Sequence, residues 1–249
     1  MTSAFWLPVY TLWRRELLRF WRERGRVFGY IGSPLIFWLA IGAGFGNLAF
    51  FFPGALTLTV MFSAVFSTMS LIEDRREGFL LSMLVSPAPR LSMVLGKGLG
   101  SSTLAGAQGL IFLAFYPLTG LRPDAASLAA AAAVLFLIAF TFTALGFLIA
   151  WRMESMQGFH AMMNLVLFPL WLVSGAMFPI TGAHGWMQWV MRLNPLTYSL
   201  AALRRVIDTH AGPEAPAFWT GIAVTAACAA LLLAASAVSA AGKSGKSAA

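Results

Sequence analysis

Apolar positions along this chain come in long blocks, and charged positions fall between them. An apolar stretch of about 20 residues is the length of a helix that crosses a bilayer core. Six such stretches stand out: Val27–Asn47, Pro53–Ile72, Gly98–Thr119, Ala126–Trp151, His160–Pro179 and Ala217–Ala241. The expected fold class is therefore all-α, a polytopic membrane protein with six transmembrane helices spread over residues 27–241. Almost no chain separates the first two stretches, which predicts a tight hairpin.

Three segments follow other patterns. In Ala4–Arg26, the residues Phe5, Trp6, Val9, Leu12, Trp13, Leu17, Phe20 and Trp21 recur at helical spacing, and Arg14, Arg15, Arg19, Arg22 and Arg26 fill much of the rest. Aromatic residues on one face and arginines on the other describe a helix lying in the membrane interface, so residues 1–26 read as an N-terminal amphipathic interfacial helix. It is either a plain lipid anchor or a docking element for a cytoplasmic partner. Residues 73–97 are charged at their start and then carry a short apolar helix pattern in Phe79, Leu80, Met83 and Leu84, ended by Pro87 and Pro89. A short amphipathic helix flanked by charge either docks into a groove on another protein or lies on lipid. Residues 180–205 are too polar to span and too apolar for a free loop. A pair of short interfacial or re-entrant helices fits them, with Trp186, Met187 and Trp189 as interface residues; cap and substrate gate are both open readings. Residues 242–249 read as a flexible basic tail.

Composition agrees with the pattern. Hydrophobic residues make up 59% of the 249 and charged residues 10%, too few charges to cover a soluble domain. The net charge of +8 would suggest nucleic acid in a soluble protein. Here the charges sort by topology. With six spans both termini share one side. If that side is the cytoplasm, the inside holds Arg14, Arg15, Arg19, Arg22, Arg24, Arg26, Arg75, Arg76, Arg90, Lys97, Arg152, Lys243 and Lys246, whereas the outside holds only Arg122, Arg192, Arg204 and Arg205. The positive-inside rule then predicts N-in and C-in, multi-pass, in the inner (plasma) membrane. Arg14, Arg15, Glu16 and Arg19 break the first apolar stretch, so the spans themselves are expected to direct insertion rather than a cleaved signal.

Candidate chemistry is sparse. Cys228 is the single cysteine, which rules out a disulfide within the chain. His160, His184 and His210 lack ligand spacing, and the 12 methionines read as packing rather than copper ligands. The stretch Leu95–Ser102 lacks the first glycine of a phosphate-cradling loop, so ATP hydrolysis is expected elsewhere and the chain is not expected to be an enzyme. Gly96, Gly98 and Gly100 read as sites of a kink or of close packing. The expected spans hold no central Asp, Glu, Lys or Arg, which disfavours a proton-coupled secondary transporter or channel. Nothing resembles a catalytic constellation of a membrane-bound enzyme, and an assembly factor is the remaining alternative.

Two stretches carry a resemblance. Glu73 and Arg76-Glu77-Gly78, then Leu84-Val85-Ser86-Pro87, Arg90 and Leu95-Gly96-Lys97 resemble the charged-then-L-L-x-S-P loop of ABC-2 type transporter permeases. Asn164, Phe168, Pro169, Ser174, Gly175, Phe178 and Pro179, followed by Asn194, Pro195, Leu196, Tyr198 and Arg204, look like that family's signature near the fifth span. The resemblance implies the membrane subunit of an ATP-driven ABC exporter. Such permeases form dimers, as homodimers or heterodimers, and work with two cytoplasmic ATPase subunits that hold the ATP and Mg. It implies a coupling helix at Glu77–Leu84, with Glu73, Arg76, Glu77, Gly78, Leu80, Leu84, Ser86, Pro87 and Arg90 as the ATPase-coupling set. It makes Ala4–Arg26 a connecting helix to the same partner and the second residue set a signature or gate. It implies a path lined by spans one, two and five for an amphipathic, lipid-like, drug-like or glycan substrate. The chain departs from the family in placing Phe79 and Leu81 where a polar pair is common.

Overall fold

The structure, a computed structural model, describes the backbone of residues 2–22, 24–207 and 216–242, with side chains at 5–20, 32–83, 85–207 and 216–240. The expected tail at 242–249 lies almost wholly outside the described residues, as do the Leu84, Trp21, Arg22 and Arg26 side chains and His210. Among the described residues the chain is helical throughout, with no strand. The order is α1 (Thr2–Arg22), α2 (Arg24–Gly44), α3 (Leu48–Ser67), α4 (Ser70–Arg76), α5 (Phe79–Val85), α6 (Arg90–Leu113), α7 (Ala125–Ala150), α8 (Met156–Trp171), α9 (Gly185–Leu193), α10 (Pro195–Ile207) and α11 (Phe218–Gly242).

Local chemistry sets the boundaries. The side chains of Asn47, Asp124 and Ser155 accept from the backbone N–H of Phe50, Ser127 and Gly158 and so cap α3, α7 and α8. Gly78, at φ 76°, separates α4 from α5. Helix α8 ends in a single π turn, Leu172–Ala176, with Gly175 at φ 91°. A side chain there would be strained, and the break lets the chain turn toward α9.

Helix α3 is the hub. It is buried along most of its length and packs against α2, α6 and α7. Trp38, Phe52 and Phe112 form an aromatic cluster between α2, α3 and α6, with ring centroids 5.1–5.9 Å apart. The Trp38 indole donates to the Leu48 carbonyl at 2.9 Å, which closes the α2–α3 hairpin. Helix α10 does not lie on the surface: Leu196, Leu200, Leu203 and Ile207 are buried, and it packs on α7 and α11.

Four helical stretches are long and apolar enough to cross a membrane: Leu48–Arg76, Ala125–Ala150, Met156–Ala176 and Phe218–Ala240. The other two expected spans fall on α2 and α6. The apolar part of α2 is short, Gly32–Gly44. Helix α6 has 24 residues, but Arg90, Lys97, Ser101, Ser102 and Gln108 dilute its apolar character. It also begins earlier and ends earlier than Gly98–Thr119, with Tyr116–Thr119 forming a separate 3-10 turn.

The N-terminal helix differs from expectation. Val9, Leu12 and Glu16 are its buried positions, while Trp6, Leu7, Tyr10 and Leu18 are exposed. Its inner face lies on α6 through glycine. A Cβ added at Gly96 would stand 2.9 Å from the Leu12 Cβ and the Val9 carbonyl, and one at Gly100 would stand 2.7 Å from the Glu16 Cβ. Two glycines four residues apart thus let the backbones of α1 and α6 meet. Gly98 points at nothing within 4 Å. Overpacking at such a contact costs about 1–3 kcal/mol. Gly96→Val should therefore lower the thermal unfolding midpoint in detergent and open α1 to protease, whereas Gly98→Ala should leave both unchanged or improved.

Candidate functional site

The segment Glu73-Asp74-Arg75-Arg76-Glu77-Gly78 joins α3 to α5, and the structure uses most of its charges internally. Asp74 is fully buried. It receives Arg15 in a two-pronged pair, Nη2 to Oδ1 at 2.7 Å and Nη1 to Oδ2 at 3.1 Å. Arg19 reaches the same Oδ1 at 3.2 Å and Glu73 Oε2 at 2.6 Å. From below, the buried Lys97 ammonium on α6 stands 2.6 Å from Asp74 Oδ2, 2.7 Å from Glu16 Oε1 and 3.1 Å from Ser70 Oγ. One ionic cluster therefore pins α1, α4 and α6 together. Burial opposes the Arg15 charge, but the hydrogen bond and charge of Asp74, with Glu16 and Glu77, outweigh it and raise the Arg15 pKa. Arg15 stays charged over the whole accessible pH range.

The next two residues grip the other side. Arg75 donates to the carbonyls of Trp151 at 2.6 Å and Met153 at 2.7 Å, capping the end of α7. Arg76 reaches the Glu154 carbonyl at 3.3 Å. Glu77 is exposed and closes α4 rather than opening α5; it lies 3.9 Å from Arg19. Arg90 donates to the Ala240 carbonyl on α11 at 2.8 Å.

Helix α5 rests on this foundation. It runs from Phe79, not Glu77. Leu80 and Met83 face inward and are buried, and the Arg15 guanidinium lies 3.9 Å over the Phe79 ring. Leu80 thus supports α5 from inside instead of presenting itself to a partner. Leu81 and Val85 are the side chains turned outward, 67% and 84% exposed. Ser86 and Pro87 are exposed beside them, the Ser86 hydroxyl donating to the Met83 carbonyl at 2.8 Å. A groove of about 750 Å³ runs between α1 and α5, lined by Leu7, Pro8 and Thr11 on one wall and Phe79, Ser82 and Pro87 on the other.

The second expected set lies at the opposite end of the bundle and divides in two. Asn164, Phe168 and Pro169 are exposed along one face of α8, with Phe178 and Pro179 exposed beyond its end. Ser174, Gly175 and Asn194 are buried inside the turn. The Asn194 side chain donates to the Leu170 carbonyl at 2.6 Å and accepts from Leu196 N–H at 2.9 Å, which orders the start of α10 at Pro195. The Tyr198 hydroxyl donates to the Arg192 carbonyl at 2.9 Å. Arg204 donates to the Gly175 carbonyl at 2.9 Å and stacks 4.4 Å over Phe50. The Trp171 indole donates to the Gly54 carbonyl at 2.8 Å, fixing α8 to α3.

Among the described residues no group of three His, Cys, Asp or Glu side chains could hold a metal ion. The arrangement offers ionically anchored helices and an exposed apolar knob at Leu81 and Val85.

The ABC-2 type transporter family model matches residues 8–207, most of the chain. The chain belongs to the ABC-2 type transporter family. It is 28% identical over 226 residues to nodulation protein J of Rhizobium leguminosarum bv. trifolii, covering 84% of this chain and 83% of that protein. It is 27% identical over 225 residues to the daunorubicin resistance ABC transporter permease protein DrrB1 of Streptomyces coeruleorubidus, covering 84% and 75%. The protein is thus an ABC-2 permease and a multi-pass membrane protein, and family membership implies an ABC ATPase partner.

In this permease the expected docking loop is only half a surface; the rest is a bolt. Sequence reasoning missed the bolt's core, Arg15, Glu16, Arg19, Asp74 and Lys97. A signal was present: Glu16 lies on the helical face of Val9 and Leu12, and Lys97 sits between Gly96 and Gly98. Removing one partner of a buried ion pair costs about 3–5 kcal/mol, because the other charge stays buried without compensation. Lys97→Met should destabilise the permease by an amount of that order. Adding Glu16→Gln should return part of the loss, read as the shift in thermal midpoint across the double-mutant cycle.

Proposed function

We propose that this ABC-2 permease is the membrane subunit of an ATP-driven exporter, and that its ATPase partner docks on α5 and on the adjoining groove beside α1. The observation that carries the reading is the exposure of Leu81 and Val85 on a helix whose root is ionically fixed. Large apolar side chains at the polar end of a membrane bundle call for a covering surface. The anchored root makes that surface a point where motion in the partner reaches α1, α4 and α6 together. The ATP and Mg belong to the partner. Glu77, Ser86, Pro87 and the backbone at Gly78 frame the contact, and Glu73, Arg76 and Arg90 hold it in place.

In this reading α2 and α6 also cross the membrane. Both termini are then cytoplasmic and α5 faces the cytoplasm. Helix α6 tolerates its polar residues because α1, α3 and α7 cover them. A second permease copy, identical or related, covers the open face of α8. Asn164 supports this placement: it is an exposed polar side chain within the otherwise apolar run from Ala161 to Trp171 of α8, where lipid would offer it no hydrogen-bonding partner. The substrate path then runs along α2, α3 and α8, with the turn at Ser174–Pro179 and the Asn194–Tyr198 segment as its gate at the far end. An apolar path of this kind suits an amphipathic cargo of lipid, drug or glycan type. The Streptomyces relative, named for daunorubicin resistance, supports the drug-like member of that range.

The partner is tested by purifying the full-length tagged permease from its native membrane in mild detergent and identifying what accompanies it. A stoichiometric ATPase with a phosphate-binding loop is expected. Leu81→Glu with Val85→Glu should reduce its recovery at least tenfold while the permease remains monodisperse with an unchanged melting profile, an effect on the order of 1.4 kcal/mol or more in binding. Full recovery of the ATPase with the doubly substituted protein would refute the docking assignment.

A further inference from the structure

Helix α8 meets the bundle along one narrow stripe. Phe159, Met163, Leu167 and Trp171, every fourth residue, are buried, and the rest of its surface is largely exposed. Apolar contact of this kind is non-directional and leaves a helix able to slide or tilt. Directional bonds hold its two ends. At the far end the Trp171 indole donates to the Gly54 carbonyl at 2.8 Å and the Asn194 amide to the Leu170 carbonyl at 2.6 Å. At the near end the link runs through the loop at 151–155. There Ser155 caps α8, its hydroxyl accepting from Gly158 N–H at 3.2 Å and its carbonyl from Phe159 N–H at 3.0 Å.

The Arg75 guanidinium grips that loop with two prongs. One takes the Trp151 carbonyl at 2.6 Å, and Trp151 is buried and stacked on Phe147 at 5.7 Å, so this prong belongs to the end of α7. The other takes the Met153 carbonyl at 2.7 Å. Met153 lies beyond α7, and a cap of α7 has no use for it. Two residues on is the Ser155 cap. That much chain spans at most about 7 Å when fully extended, so it has little slack. A planar, two-pronged guanidinium fixes direction as well as distance. Arg75 itself stands in the last turn of α4, whose neighbour Asp74 is the centre of the ionic cluster.

We infer that Arg75 is the positioning residue that makes the near end of α8 follow the bolted body of α1, α4 and α6, through the loop at 151–155. Without the fork, α8 would stay behind on its apolar stripe when that body moves. The inference rests on the proposed function in taking α5 as the ATPase dock and α8 as a wall of the substrate path. The tether itself is a property of the permease alone.

The test measures the distance from α8 to α6 in the full-length chain with Cys228→Ser. Nitroxides are placed by Gln157→Cys in the first turn of α8 and Leu110→Cys on α6, both exposed positions. Labelled chains are diluted with unlabelled permease in phosphatidylcholine–phosphatidylglycerol nanodiscs, and the distance distribution is read by double electron–electron resonance. Arg75→Met should broaden it at least twofold, whereas Arg152→Met, an exposed charge in the same loop, should leave it unchanged. Two glycines inserted between Glu154 and Ser155 keep Arg75 and both carbonyls but slacken the link, and should broaden it as well. A distribution unchanged by either alteration overturns the inference, whether or not an ATPase is recovered. In the complex with the co-purified ATPase, trapping with ATP and vanadate should leave the mean distance unchanged in the unsubstituted protein and shift it in Arg75→Met, with ATPase recovery equal in both. Loss of ATPase recovery in Arg75→Met would place Arg75 in the dock and overturn the inference. Absence of any ATPase with the unsubstituted permease would strike the docking reading instead, and the width comparison would still decide the tether.

Discussion

The buried meeting of Asp74 with Arg15, Arg19 and Lys97 is the constraint on which the rest of this permease depends. A carboxylate taken wholly out of water is stable only when cations and hydrogen bonds surround it. Here Asp74 on α4 takes its partners from two other helices, Arg15 and Arg19 from α1 and Lys97 from α6. Satisfying one charge therefore fixes the N-terminal helix, the lead-in to α5 and the start of α6 in a single geometry. Buried ion clusters contribute little net stability compared with apolar packing. What this one supplies is position: it specifies where α1 lies on the bundle and how α5 leaves it.

Steric and polar terms cooperate in that arrangement. Gly96 and Gly100 bring α1 within backbone contact of α6, which carries Glu16 into reach of Lys97. On the far side, Arg75 holds the carbonyls that end α7. The short α4 is gripped from several directions, and α5 projects from it with Leu81 and Val85 outward. At the opposite end Arg204 and Asn194 do the corresponding work around the break at Gly175 by donating to the Gly175 and Leu170 carbonyls, while Trp171 ties α8 to α3 by donating to the Gly54 carbonyl.

The hydrophobic pattern alone revealed the all-helical class, short helices within 73–97 and 180–205 and, among six expected spans, the four that are long and strongly apolar, because burial in lipid imposes long, uniform signals. The motif within 73–97 and the signature residues Asn194 and Pro195 were legible as sequence too. Other features were not. The inward turn of Arg15 and Arg19 defied the rule that arginine marks a polar face, because their partners, Asp74 and Glu73, lie more than fifty residues away in sequence. Leu80 and Leu81 are neighbours of equal hydrophobicity, and only the packing of α5 shows that one supports it while the other is presented. The π turn at Gly175 left no periodic trace, and α10, amphipathic by sequence as a surface helix would be, is drawn inside by α7 and α11.

If the ionic cluster acts as a bolt, α1, α4 and α6 move as one body beneath α5, the helix proposed to receive the ATPase. The most direct measurement joins α1 to α6 and asks whether coupling survives. Trp13 and Thr103 already touch, the indole donating to the hydroxyl at 3.2 Å. Cysteines at these two positions, in a Cys228→Ser background, can be bridged by a short bismaleimide in the reconstituted complex with its ATPase. The account predicts that permease-stimulated ATP hydrolysis is unchanged by the bridge. If the bridge abolishes stimulation while the same protein remains active before bridging, α1 must part from α6 during the cycle, and the rigid-body account is wrong.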